Sequence, residues 1–197
     1  MMTGRFDELT KIPAEPAMRL LAGANARLAV RLPLPATAGV GQVLDGLAAA
    51  GGYVDMLRLL SVALPGRERV WWACLAGRDL CAGAEPPRTL AAAEAWVFRP
   101  GEETLAAVAQ ALEAAPPEDD LSLCALAALY ADGRLGGGHL AEMAAPPGGA
   151  AAAAFGVNVM ALECHGPDLA AAADVLIDRA ADIARGGSGR GVPAREG

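Results

Sequence analysis

The sequence has few of the residues on which common active sites depend. Among its 197 residues are two histidines, three serines and one lysine, Lys11. None of the serines stands in a Gly-x-Ser-x-Gly turn, the motif that carries the nucleophile of α/β-hydrolases. No lysine follows a glycine-rich loop, and no Gly-x-Gly-x-x-Gly motif is present, so the common nucleotide-binding signatures are excluded. No catalytic residue and no cofactor is predicted.

Short cysteine or histidine pairs of the kind that bind zinc are also absent. The four cysteines are widely spaced, at Cys74, Cys81, Cys124 and Cys164. A zinc site would have to combine Cys164 and His165, the only local pair, with ligands from distant segments. We therefore predict no metal site, and we expect the cysteines to be buried, reduced thiols.

Neither a basic stripe nor a long hydrophobic run is present. The net charge is −7 and the arginines are scattered, so nucleic acid and anionic membrane surfaces are not expected partners. The most apolar run, 150–162, is too short to cross a bilayer and contains Asn158. The first 16 residues lack the apolar core of a secretory signal peptide. We expect a cytoplasmic protein without membrane insertion.

Alanine is abundant, and 54% of the residues are hydrophobic, which favours a folded, helical chain. Proline and glycine pairs divide the sequence into short segments with apolar residues at helical spacing. The predicted helices span 16–31, 40–50, 53–64, 67–80, 88–98, 102–115, 120–131, 150–164 and 168–185. We predict an all-α single domain, either an irregular antiparallel bundle or a short stack of helical hairpins.

The predicted domain covers residues 16–185 and includes a Gly/Pro-rich loop at 132–149. Residues 1–15 are expected to form an irregular lead-in, and residues 186–197 a disordered tail. The last two predicted helices are expected to pack as a hairpin around Gly166-Pro167.

Two segments hold the candidate site residues. Trp71 and Trp72 are adjacent, so they point about 100° apart on a helix and one is expected nearer the surface. Glu94 lies in an otherwise apolar helix and needs a partner such as Arg78 or Arg69. The tryptophans either build the core or form an aromatic and arginine patch that binds a partner. The candidate partner-binding residues are Arg69, Trp71, Trp72, Arg78, Glu94 and Trp96.

The segments Val70-Trp71-Trp72-Ala73-Cys74 and Ala92-Ala93-Glu94-Ala95-Trp96 give the chain a distinctive motif. In this motif the chain resembles an uncharacterised family of Ala-rich, all-helical bacterial proteins, over most residues from 16 to 185. Such proteins are associated with gene clusters of contractile, type VI-like secretion systems. The resemblance implies an accessory or adaptor role and brings no catalytic residues with it.

Three functions stay open from the sequence. The first is a non-enzymatic adaptor or chaperone-like accessory protein that binds another protein, such as a secretion-system component or its cargo. The second is a small enzyme that uses Cys74 or Glu94 with a histidine. The third is a helical bundle that binds a small molecule in an apolar cavity. We favour the first, because the other two lack recognisable residues.

Overall fold

A computed structural model describes residues 4–190, and this part of the chain is all-α. It confirms the predicted fold class. The described residues form no β-strand, and short 3₁₀ turns lie at Gly138–Glu142 and Leu162–His165. The helices are α1 (Ala17–Gly23), α2 (Val40–Ala49), α3 (Tyr53–Ala63), α4 (Gly66–Leu80), α5 (Arg88–Phe98), α6 (Glu102–Glu113), α7 (Ser122–Ala131), α8 (Gly149–Ala161) and α9 (Leu169–Ala184).

Most predicted helix boundaries are close to the observed ones, because glycine and proline end helices for local reasons. Helix α2 ends at Ala49, two residues before Gly51, whose φ of 68° lies in the left-handed region that glycine adopts without strain. Helix α5 follows Pro87, which has extended backbone. Helix α9 begins after Asp168, whose side chain accepts a hydrogen bond from the amide of Ala170 at 2.9 Å.

The first predicted helix is wrong in its second half. Helix α1 ends at Gly23, whereas the sequence predicts helix as far as Arg31. Asn25 has a φ of 52°, a left-handed conformation that stops the helix. Residues 26–34 then continue without helical structure, with bends at Ala29, Val30 and Pro33, and we call them the connecting segment. Asp55 on α3 holds this segment by accepting a hydrogen bond from the Val30 amide at 2.7 Å.

Contacts between elements divide the chain into two units. The first contains the described residues up to Pro65 together with those from Leu162 onward. In it, α3 packs against α1, α2 and α9, so α2 and α3 form the predicted hairpin. Its hydrophobic core includes Leu21, Leu44, Leu60 and Leu176.

The irregular N-terminal segment is held firmly on the first unit. Arg5 forms ion pairs with Asp174 at 2.6 Å and with Asp178 at 2.8 Å, both on α9. Phe6 beside it is buried, and the Lys11 amide donates to the carbonyl of Ala184 at 2.8 Å. Residues 4–15 form no helix, and the buried Phe6 contributes to the core.

The second unit spans Gly66–Ala161. Helix α4 packs against α5, α7 and α8, and α7 also contacts α5, α6 and α8. The predicted final hairpin is wrong, because α8 belongs to this unit whereas α9 packs on α3 in the first. Helix α8 is rich in alanine and presents Ala150, Ala154 and Val157 to the core.

The predicted loop and tail contain more order than the sequence indicates. Within 132–149, Arg134 and Ala144 form an isolated β-bridge and Gly136 is buried. After α9, the Gly189 amide donates to the Asp182 carboxylate at 2.8 Å. The rest of the predicted tail, 191–197, lies outside the described residues. The boundaries 16–185 of a single domain stay a prediction.

Candidate functional site: an aromatic patch on α4 and α5

The three tryptophans have different environments in the second unit. Trp72 is fully buried and Trp96 is 5% exposed, so both belong to the core. The indole N–H of Trp96 is buried and has no hydrogen-bond partner among the described residues. Trp71 is half-buried, as expected for one member of an adjacent pair on a helix.

Trp71 contacts Phe98, the last residue of α5. Their ring centroids are 5.3 Å apart and the ring planes meet at 63°, which is an edge-to-face contact. The Phe98 side chain is 63% exposed, unusually high for a large apolar residue. We call Trp71 and Phe98 the aromatic patch.

Arginines flank the aromatic patch. Arg67 lies one helical turn before Trp71 and is exposed, and its Nε donates to the carbonyl of Val97 at 2.6 Å. This bond ties the start of α4 to the end of α5, where helix carbonyls lack intrahelical partners. Arg99 follows Phe98 directly, is exposed, and pairs with Glu103 at 3.0 Å.

Glu94 and Arg78 form a two-point ion pair between α5 and α4. Arg78 Nε donates to Glu94 Oε1 at 2.7 Å, and Arg78 Nη2 donates to Oε2. The Glu94 side chain is only 12% exposed, whereas that of Arg78 is 45% exposed. The hydrogen bonds to Glu94 raise the pKa of Arg78 above its ordinary value. Of the two arginines that the sequence offers as partners of Glu94, Arg78 makes this pair.

Arg69 is less exposed than Arg78. Desolvation by burial lowers the pKa of Arg69 to about 10, so its guanidinium stays charged at neutral pH. Arg69 is therefore a poor candidate for a contact that a partner could reach easily.

The six candidate residues predicted from the sequence differ in their exposure to solvent. Trp72 and Trp96 lie in the core, Glu94 and Arg69 are largely covered, and Trp71 and Arg78 reach the surface. Sequence reasoning missed Phe98 and Arg67. A signal existed for Arg67, which is four residues before Trp71 and hence on the same helix face. Phe98 lies two residues before Pro100-Gly101, a pair that ends helices. A side chain at a helix end has fewer neighbours to bury it.

The cysteines lie in different environments. Cys74 and Cys124 are fully buried in the second unit, and Cys124 Sγ lies 3.6 Å from the carbonyl oxygen of Ala73. A hydrogen bond with Cys124, followed by burial, raises the pKa of Cys74 well above its ordinary value. A thiol in this state is a poor nucleophile, because the thiolate is the reactive form. Cys81 is half-buried and Cys164 is exposed, so the expectation of four buried thiols is wrong for these two.

Residues 4–190 contain no group of three or more His, Cys, Asp or Glu side chains that could hold a metal ion. Within the same range, every helix is too short or too polar to cross a membrane.

A family model described as a family of unknown function, DUF6931, matches residues 43–184 of the chain. The chain belongs to the DUF6931 family. The match spans most of α2 and all of α3 to α9, and it includes the aromatic patch and the pair of Arg78 and Glu94. In this DUF6931 protein, α1 and the connecting segment precede the matched residues. No curated protein and no solved structure matches the chain.

Proposed function

We propose that this DUF6931 protein is a non-enzymatic adaptor or chaperone-like accessory protein that binds another protein through the aromatic patch. The exposed Phe98 ring, packed edge-to-face on Trp71, is the observation that carries the proposal. Tryptophan and arginine are over-represented among the residues that dominate binding energy at protein interfaces, and tyrosine, tryptophan and phenylalanine are enriched at interface cores. Arg67 supplies a positive charge beside the rings, whereas the charge of Arg99 is already paired with Glu103.

The chemistry of the patch favours a partner with an apolar anchor beside a carboxylate. A partner side chain that covers Phe98 would remove apolar surface from water, while an acidic residue could meet Arg67. The resemblance to proteins from contractile secretion gene clusters favours a secretion-system component or its cargo as this partner. We place the interaction in the bacterial cytoplasm.

The alternative of a small enzyme has less support. Cys74 is buried and its thiol is held protonated, and Glu94 is engaged by two hydrogen bonds from Arg78. The Cys74 thiol is not in the thiolate form that a nucleophile requires, and both Glu94 oxygens already accept hydrogen bonds from Arg78.

Affinity capture with matched variants tests the proposal. The tagged protein is recovered from its native cells, and the co-purifying proteins are identified by mass spectrometry. Phe98→Asp should abolish recovery of one specific protein, because it places a charge where the partner's apolar surface must pack. Met143→Asp is the control, since Met143 is another exposed apolar side chain of the second unit, 52% exposed.

Comparison of the two variants distinguishes a lost partner contact from a general effect of an added surface charge. Both should unfold at the wild-type denaturant concentration, because the altered side chains are exposed. Recovery of the same protein with wild type and Met143→Asp, but not with Phe98→Asp, supports the proposal. Equal recovery with all three proteins, or none with wild type, contradicts it.

A further inference from the structure

The first unit contains an open groove that the proposed function does not use. Its volume is about 1000 Å³, at the upper end of the range that small-molecule sites occupy. Helix α1 and the connecting segment form most of its lining, and Val43 of α2 contributes to it. The groove shares no residue with the aromatic patch, so an inference about it goes beyond the proposed function.

The connecting segment is fixed on α2 and α3. Its Val30 amide donates to the buried Asp55 carboxylate at 2.7 Å. Its side chains also lie close to two glycines: a Cβ added to Gly46 would be 3.1 Å from a Leu32 methyl group, and one added to Gly52 would be 3.2 Å from a Val30 methyl group. Because these contacts hold the wall in place, the groove is preformed and a ligand need not order it.

The lining of the groove is predominantly aliphatic. Leu21 and Val43 belong to the hydrophobic core, whereas Met18 is 54% exposed and Leu34 is 39% exposed. Two large apolar side chains of the groove therefore remain in contact with water. A ligand with an alkyl chain would remove this surface from water.

The charged side chains of the groove are all positive. Arg27 and Arg31 line it and are exposed, and neither forms an ion pair or a side-chain hydrogen bond with a described residue. None of the described residues that line the groove is acidic. In a chain with a net charge of −7, the groove is a local concentration of positive charge beside an apolar surface. An anionic group of a ligand would therefore be attracted to it.

Aliphatic walls and unpaired arginines together match an amphipathic anion. A long-chain carboxylate has an alkyl chain that needs only apolar contacts and a planar headgroup that an arginine can bind with two hydrogen bonds. An extended protein segment would also have to satisfy its backbone amides and carbonyls. The connecting segment bends at Ala29, Val30 and Pro33, so it offers no regular row of partners for them.

We propose that the groove binds a free long-chain fatty acid. Its carboxylate is held by Arg27 or Arg31, and its alkyl chain covers Met18 and Leu34. The ligand is a single amphiphile and not a bilayer, because the arginines and the apolar side chains line one concave groove instead of a flat face. The chain then has a small-molecule site in the first unit in addition to the partner site in the second.

Displacement of a fluorescent fatty acid tests the proposal. Dansyl-labelled undecanoic acid is the probe, and the concentration of laurate that displaces it from the full chain gives the affinity of laurate. Dodecanol has the same alkyl chain without the charge, and octanoate has the same headgroup on a shorter chain. Laurate should bind at least about tenfold more tightly than either of them, because it alone satisfies both the apolar and the charged part of the groove.

Neutral variants of the arginines separate the charge from the apolar walls. Arg27→Gln with Arg31→Gln should weaken binding of laurate about tenfold and change that of dodecanol by less than about twofold. Arg88→Gln with Arg99→Gln makes the same change in net charge at exposed arginines that do not line the groove. This control should alter the affinity for laurate by less than about twofold, because charges outside the groove are screened.

A larger side chain in the groove tests the location of the site. Ala22 on α1 is exposed and lines the groove, so Ala22→Trp should fill part of it and weaken both laurate and dodecanol at least about tenfold. Ala152→Trp is the control, because Ala152 is an exposed alanine of α8 outside the groove. Both variants should unfold at the wild-type urea concentration, since both alanines are exposed.

Several results would overturn the proposal. They are the absence of saturable probe binding, equal affinities for laurate and dodecanol, unchanged laurate binding in the Arg27 and Arg31 variant, and equal laurate binding in Ala22→Trp and Ala152→Trp. Phosphatidylglycerol vesicles and an acidic amphipathic helical peptide are tested as other occupants. Sedimentation of wild type but not of the Arg27 and Arg31 variant with the vesicles would assign the groove to a membrane and overturn the proposal. Displacement of the probe by the peptide at a lower concentration than laurate would assign it to a protein, with the same consequence.

The two proposals fail separately. The Arg27 and Arg31 variant should still capture the partner of the aromatic patch, and Phe98→Asp should still bind laurate. Loss of both activities in either variant, with an unchanged unfolding transition, would contradict the assignment of two independent sites.

Discussion

Two adjacent tryptophans on α4 are expected to contribute very differently to stability. Trp72 is fully buried, so Trp72→Ala should lower the free energy of unfolding by about 3–5 kcal/mol. Trp71 is half-buried and packs on an exposed ring, so Trp71→Ala should cost about 1–2 kcal/mol. Equilibrium unfolding in urea measures both values. Equal losses in the two variants would place both rings in the core and remove the basis for the aromatic patch.

The thiols are expected to react at different rates, according to their exposure to solvent. In the native protein Cys164 should react first with a disulfide reagent, because it is exposed. Cys74 and Cys124 should react only on unfolding, since both are buried and the pKa of Cys74 is raised. The absorbance of the coloured thiolate released from the reagent measures the reaction. Cys164→Ser is the control, because it should lack the fast phase. Rapid labelling of Cys74 in the folded protein would reopen the enzyme alternative.

At the scale of the element, α8 depends on alanine where it meets α4 and α7. Ala154 is fully buried, so Ala154→Leu should force neighbouring side chains apart and destabilise the protein by about 1–3 kcal/mol. Ala152→Leu is the matched control in the same helix, because Ala152 is exposed, and it should change stability by less than about 0.5 kcal/mol. Thermal and urea unfolding of both variants check this. A tolerated leucine at Ala154 would mean that α8 packs loosely.

Helix boundaries were predictable from the sequence wherever their cause is local. Gly51 and Pro87 act through their own backbone preferences, so a pattern of glycine and proline positions α2 to α7 within a few residues. The connecting segment was missed although the sequence holds a signal against a helix there. Leu28, Val30 and Leu32 alternate with polar or small residues, and this period of two does not match the spacing of a helix.

The candidate site was only partly predictable, because exposure is decided by packing. Periodicity separates Trp71 from Trp72, but it does not say which faces solvent. Phe98 is exposed because α5 ends there, and the ion pair of Glu94 joins two helices whose relative position the sequence does not specify. Likewise, the division of α8 and α9 between two units rests on contacts between distant residues.

At the scale of the whole molecule, the pairing of charges decides where positive potential remains. Several arginines are neutralised by carboxylates of their own unit, namely Arg5, Arg78, Arg99 and Arg134. The hydrogen bond with Arg134 also lowers the pKa of Glu102. Arg27, Arg31 and Arg88 have no such partners among the described residues, so these exposed side chains keep unpaired positive charge in an acidic chain.

Global stability is expected to fall at alkaline pH because of the buried thiols. The pKa of Cys74 is raised well above the ordinary value of 9.0, and that of Cys81 is raised by burial. Well below pH 9 these thiols are protonated in both states. As the pH rises further, the unfolded chain loses the protons while the folded state keeps them, so unfolding becomes more favourable. Each thiol that stays protonated in the folded state costs up to about 1.4 kcal/mol per pH unit.

Urea unfolding at about pH 8 and about pH 10 measures this effect. From the lower to the higher pH, the free energy of unfolding should fall by about 1 kcal/mol less in Cys74→Ala than in wild type. Cys164→Ala should behave as wild type. The window stops near pH 10, because burial lowers the pKa of Arg69 to about 10 and its deprotonation would act with the opposite sign above that pH. An identical loss in wild type and Cys74→Ala would show that the Cys74 thiol ionises as readily in the folded protein as in the unfolded chain.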